Sequence, residues 1–305
     1  MWLILAFMSA ALLGCYDSFK KRALLDNAVI PVLFLNTLFS SLIFLPFIVL
    51  SSSTSTLDGS VFYVADGGWE EHRWVLLKSV IVLSSWLCGY FGMKHLPLTI
   101  VGPINATRPV MVLVGALLVF GERLNVYQWT GVLLAVASFL MLSRSGKKEG
   151  IDFKHNRWIL LIVLAAALGA VSGLYDKYLM APVGEGGVGL DRMLVQSWYN
   201  IYQCAMMLCM LMLLWWPKHK ETTPFHWAWS ILGVSLFLSM ADFLYFYSLS
   251  LPSAMISIVS MIRRGSVIVS FLFGAMFFHE KNLRAKAFDL ALVLLGMVFL
   301  YIGSR

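Results

Sequence analysis

The chain has 305 residues, of which 60% are hydrophobic and only 13% charged. A soluble domain is about 45 to 50% apolar and about 25% charged, so this chain lacks the charge to coat a water-facing surface; a soluble enzyme and a disordered segment are both excluded. The net charge of +7 does not point to nucleic acid, because most of the 23 Lys and Arg fall in short connections between apolar runs, as in a membrane-anchored chain.

A spanning helix takes about 20 apolar residues. Apolar runs bounded by charged or Pro/Gly/Ser clusters predict ten helices, at 2–23, 28–50, 74–94, 98–120, 126–143, 158–180, 193–216, 226–250, 253–278 and 285–303. The longest connections are 51–73, Ser/Thr-rich and then acidic, and the basic stretch 144–157. The second divides the chain into two five-helix units, expected at 1–146 and 158–305 with a linker at 147–157. Leu12-Leu13-Gly14-Cys15 looks like a lipoprotein cleavage box, but no basic segment precedes it, so the first run is read as a helix. Cys15, Cys88, Cys204 and Cys209 lie inside apolar runs without Cys-x-x-Cys spacing, and neither a disulfide framework nor a metal or cofactor is expected.

The two units repeat one another. Gly14-Cys15-Tyr16-Asp17 recurs 159 residues on as Gly173-Leu174-Tyr175-Asp176. Asn36 recurs as Asn200, Leu96-Pro97 as Leu251-Pro252, Arg108 as Arg263 and Glu122-Arg123 as Glu280-Lys281, all in the same order. An odd number of helices per unit sends the second copy into the membrane from the opposite side. The expected fold class is therefore an all-α integral membrane protein of ten transmembrane helices in two inverted five-helix repeats, with a substrate site near the midplane.

Charged groups at membrane depth cost about 2.5 to 3.5 kcal/mol each on insertion scales and usually face a cavity or a partner. Six such residues stand out: Asp17, Asp176 and Asp242 against Arg108, Arg263 and Arg264. Asp17 and Asp176 each follow a tyrosine, Tyr16 and Tyr175. They are candidates for a proton or a substrate amine; the structural alternative is an ion pair, with Lys20, Lys21, Arg22 or Lys177 as partners. The arginines are suited to a carboxylate or phosphate, or else neutralise the aspartates. Asn36 and Asn200 are candidate ligands or interhelical hydrogen-bonding residues. Trp69, Trp74, Trp158, Trp215, Trp216, Trp227 and Trp229 fall at helix ends as an interfacial belt, whereas Trp86, Tyr90, Tyr199 and Tyr245 lie deeper and are candidates for lining a cavity. Lys78, near the start of its helix, is expected to snorkel to the interface.

Arg108-Pro109, then Glu122-Arg123, then Gly131 in the next helix resemble the helix 4 and 5 pattern of EamA-like members of the drug/metabolite transporter superfamily. Gly14 followed by Lys20 and Lys21 is similar to that family's helix 1. Two positions depart from it: Leu13 stands where a Trp often precedes the glycine, and Val267 where helix 9 often has Pro. The resemblance implies a ten-helix carrier, with a cavity lined by helices 1, 3, 4, 6, 8 and 9, that moves small metabolites by alternating access. It also implies cytoplasmic termini, whereas the excess of Lys and Arg after odd-numbered helices places the termini outside.

The expected function is secondary transport, in the exporting direction and with proton linkage as an option, of a small polar or charged metabolite at Asp17, Asp176, Asp242, Arg108, Arg263, Arg264, Asn36, Asn200, Tyr16, Tyr175, Trp86 and Tyr245. The expected location is the bacterial cytoplasmic (inner) membrane, with lipids as surroundings and no nucleic acid. A lipid or lipid-linked flippase using the same cavity is the alternative. A membrane-embedded enzyme is disfavoured, because all six histidines fall at span ends or in loops and no nucleophile motif is present.

Overall fold

A computed structural model of the protein describes residues 2–108, 110–111, 125–147, 155–180, 182–251, 259, 262–277 and 283–303. Pro109, Gly115, Glu122, Arg123, Pro252, Ser260, Glu280 and Lys281 lie outside the described residues. Among the described residues ten α-helices follow in order: α1 (Trp2–Ala23), α2 (Val29–Ser53), α3 (Trp69–His95), α4 (Leu98–Ala106), α5 (Val126–Lys147), α6 (Arg157–Met180), α7 (Arg192–Met210), α8 (Ser230–Ser250), α9 (Ser266–Phe277) and α10 (Leu283–Gly303). No strand occurs among the described residues. Seven of the helices are long and apolar enough to cross a membrane: α1, α2, α3, α6, α7 with its extension, α8 and α10. The described part of α4 is 9 residues and α9 is 12.

Several boundaries differ from the sequence expectation, each for a local reason. Helix α3 begins at Trp69 rather than 74, because the Glu71 carboxylate accepts from the Gly68 backbone N–H at 2.8 Å, and Glu70 and Glu71 both sit in the first turn, where the helix dipole favours negative charge. Helix α7 gives way to a π-turn over Leu211–Trp215 and a 3-10 turn holding Pro217, which has no N–H with which to continue an α-helix. Helix α8 starts at Ser230, four residues late, since the preceding segment is tied down: Asn27 donates to the His226 carbonyl at 2.7 Å and accepts from the His226 N–H at 2.9 Å.

The spans predicted as continuous at 98–120 and 253–278 are interrupted. Thr107 N–H reaches back to the Ile104 carbonyl at 3.1 Å, and Gly265 N–H to the Ile262 carbonyl at 2.9 Å, in three-residue turns. These breaks fall beside Arg108 and beside Arg263-Arg264. Broken helices at membrane depth are tolerated where they line a cavity.

The helices pack in pairs: α1 with α8, α3 with α6, α2 with α7, α4 with α9 and α5 with α10. Exchanging each helix with the one five places along maps this set of pairs onto itself. The largest apolar cluster, around Leu24, Tyr90, Leu96, Ile100 and Ile162, fills one end of the bundle beneath the ends of α1 and α3. Lys21 closes that end: its ammonium donates to the Met93 carbonyl at 2.7 Å and the Leu96 carbonyl at 2.6 Å, satisfying the orphan acceptors at the C-terminus of α3. Lys21→Met is expected to lower stability by about 1 to 3 kcal/mol, read as a fall in the melting temperature of the detergent-purified protein; an unchanged transition contradicts that role.

Candidate functional site

A cavity of about 160 Å³ lies inside the bundle. Helices α1, α3, α4, α6 and α8 and the segment leading into α9 line it, with Tyr199 of α7 added. Helical spacing supplies the lining. Residues Lys78, Val82, Ser85, Trp86 and Gly89 form one face of α3, and Leu238, Asp242, Tyr245 and Phe246 one face of α8. On α6, Gly169, Ser172, Gly173 and Asp176 do the same.

Nine of the twelve residues singled out from the sequence meet here: Tyr16, Asp17, Trp86, Arg108, Asp176, Asp242, Tyr245, Arg263 and Arg264. Three are placed elsewhere. Asn200 donates to the Gln196 carbonyl one turn back at 2.8 Å, within α7. Asn36 is fully buried in α2 with neither side-chain atom hydrogen-bonded. Tyr175 is on α6 but turns to the Trp74 carbonyl, to which it donates at 3.3 Å.

Each aspartate in the cavity has a basic partner. Asp17 pairs with Lys20 one turn along α1 at 3.1 Å and accepts from Ser270 of α9 at 3.2 Å. Lys20 also donates to the Tyr16 hydroxyl at 3.3 Å and lies over the Tyr16 and Tyr90 rings at 4.4 and 5.0 Å. Asp176 of α6 pairs with Lys78 of α3. Asp242 of α8 pairs with Arg263 and accepts from the Tyr199 hydroxyl at 2.8 Å, while Arg263 covers the Tyr245 ring at 4.1 Å. These contacts compensate buried charge in the two ways available, by opposite charge and by the negative face of an aromatic ring.

Lys78 corrects the sequence expectation. It does not snorkel; it is 3% exposed, paired to Asp176 and set over the Tyr199 and Phe246 rings. Its partner lies 98 residues away in sequence, so nothing local announces the pair. Gly169 was also missed, because its significance depends on a neighbour from another helix. A Cβ at Gly169 would stand 2.6 Å from Nη1 of Arg108, so the bare backbone there gives the guanidinium its seat.

The cavity holds Lys20, Lys78, Arg108, Arg263 and Arg264 against Asp17, Asp176 and Asp242. After the three pairs, Arg108 and Arg264 are left without a carboxylate of their own among the described residues. Arg108 donates through Nη2 to Asn105 Oδ1 at 3.2 Å, while its buried Nε has no partner.

Among the described residues, ten helices, seven of them apolar and of span length, surround a charged interior cavity, the architecture of a multi-pass membrane protein. Residues 1–144 match the model of the EamA-like transporter family, the family that the motifs resemble. A solved crystal structure of a protein shares the fold, with a TM-score of 0.63 at 15% identity over 99% of this chain and 97% of that one. No curated protein matches the sequence.

The Lys78–Asp176 pair generates a stability prediction. Lys78→Met or Asp176→Asn alone is expected to cost about 3 to 5 kcal/mol, by leaving a buried charge uncompensated, whereas Lys78→Met with Asp176→Leu recovers most of it. Thermal unfolding of the three variants in detergent checks this; additive losses would contradict it.

Proposed function

We propose that the protein is a secondary transporter that carries a small polar metabolite bearing an anionic group through this cavity by alternating access. The observation that carries the reading is the charge inventory: among the described residues three ion pairs leave Arg108 and Arg264 over, and a buried charge without compensation is costly. The substrate supplies what the protein withholds. A substrate amine fits less well, since Asp17 and Asp176 are already held by Lys20 and Lys78, and a diffusible cation would have to displace a tethered ammonium. Protonation of either aspartate would free its lysine toward the bound anion, which is how proton coupling would enter.

The pairing of α1 with α8 and of α3 with α6, together with the ordered sequence matches, supports two inverted units at 1–146 and 158–305. Counterpart glycines in the two units have unlike surroundings. A Cβ at Gly14 would fall 2.8 Å from the Ser266 carbonyl, so α1 is pressed against α9, whereas Gly173 has no such neighbour within 4 Å among the described residues. In a carrier whose halves exchange conformations, the other state closes α6 at Gly173 and loosens α1 at Gly14.

Two measurements test this reading. In a thermal-shift screen of metabolite classes, anionic compounds are expected to raise the melting temperature of the native protein and not of Arg108→Gln, since a ligand stabilises the state it binds; stabilisation by amines that survives the substitution contradicts the anion site. Gly173→Leu is expected to fold, with the melting temperature of the ligand-free protein kept, while losing counterflow in proteoliposomes; undiminished counterflow would sink the exchange of halves.

A further inference from the structure

The charge balance of the cavity specifies the charge of its ligand as well as the sign. Resting on the reading of the chain as an anion carrier, we infer that the group held between Arg108 and Arg264 is a dianion of the phosphate-monoester type. Among the described residues that line the cavity, five basic side chains face three acidic ones, an excess of two that does not depend on which acid is assigned to which base. A monoanion leaves one guanidinium uncompensated in a medium where that is expensive; a dianion closes the balance. Arg108 and Arg264 both line the cavity, so two like charges border the space that the ligand would fill.

Geometry agrees with the arithmetic. A guanidinium binds an oxyanion through a planar fork, and a single carboxylate is satisfied by one fork, whereas the three terminal oxygens of a phosphate monoester accept from two. Arg108 has donors to spare, with Nη2 on Asn105 and a buried Nε that has no partner. Arg263, whose Nη2 is committed to Asp242, likewise keeps a buried, unpartnered Nε. Gly169 acts as a positioning residue: without a side chain it lets the Arg108 guanidinium lie against α6, where a Cβ would stand 2.6 Å from Nη1 and 3.1 Å from Nε. Because Nη1 and Nε belong to the flexible end of a side chain, a methyl at 169 turns the guanidinium away without removing its charge.

The same dianionic chemistry is carried by a water-soluble phosphate monoester and by a lipid phosphate head group. The test uses the full chain in detergent, with binding measured calorimetrically for inorganic phosphate, glycerol 3-phosphate, phosphatidic acid, sulfate, acetate and methylamine. Titrations run at about pH 8 and about pH 5, on either side of a phosphate second ionisation near 6. Phosphate or one of its monoesters is expected to bind about tenfold more weakly at the lower pH, where it is a monoanion, while sulfate, a dianion throughout, is unchanged. Arg264→Gln and Gly169→Ala are each expected to weaken the phosphate compound about tenfold with the ligand-free melting temperature retained. Binding of glycerol 3-phosphate supports the inference with a soluble substrate, and binding of phosphatidic acid alone supports it with a lipid one. Acetate binding as tightly as phosphate, and lost in Arg108→Gln, overturns the dianion while leaving an anion carrier. Methylamine binding with no anion bound overturns the anion carrier as well.

Discussion

A charge inside a membrane is tolerated only in company, and the interior of this bundle is arranged around that constraint. Lys78 on α3 is held by Asp176 on α6, so one ion pair bridges helices from the two halves of the chain. Asp242 on α8 gathers Arg263 from the segment before α9 and Tyr199 from α7. Asp17 keeps Lys20 on its own helix and takes a hydroxyl from Ser270 on α9. Such pairs are weak evidence for stability in themselves, because desolvation offsets much of their attraction. What they do here is fix which helices face the cavity and leave a defined remainder of positive charge within it.

That remainder separates a structural role for the buried charges from a functional one. Had the acids and bases balanced, neutralisation within the bundle would account for all of them. The excess sits on Arg108 and Arg264, each next to a break in its helix, at Thr107 and at Gly265. Both turns keep backbone hydrogen bonds on either side, with the Met111 N–H on the Thr107 carbonyl at 3.1 Å and the Ile268 N–H on the Gly265 carbonyl at 3.0 Å. The fold alone does not carry this conclusion: related folds host unrelated substrates, and the argument rests on the particular side chains in the cavity.

Much of the architecture was legible in the sequence because it follows from local composition. Apolar runs locate the helices, and the recurrence of Gly14 to Asp17 as Gly173 to Asp176 locates two of the three aspartates that face the cavity. What was not legible depended on distant partners. The position of Lys78 near a helix start favours snorkelling, and only the approach of α6 turns it inward. Asn36 and Asn200 correspond in the ordered sequence matches, yet neither lines the cavity: α2 and α7 pack on each other, and Tyr199 is the α7 residue that reaches it. Tyr175 precedes Asp176 by one residue, a step of about 100° around the helix, which directs it toward Trp74. The early start of α3 escaped a hydropathy reading because capping, not apolarity, begins that helix.

The central claim is that two guanidinium groups in the cavity await a doubly charged anion. Anomalous diffraction from crystals of the protein soaked in tungstate, a heavy tetrahedral dianion, tests it most directly. The account predicts a peak in the cavity within hydrogen-bonding distance of both Arg108 and Arg264, absent from crystals of Arg108→Gln. An anomalous map with no peak there, and with both guanidinium groups satisfied by the protein's own carboxylates, would contradict it.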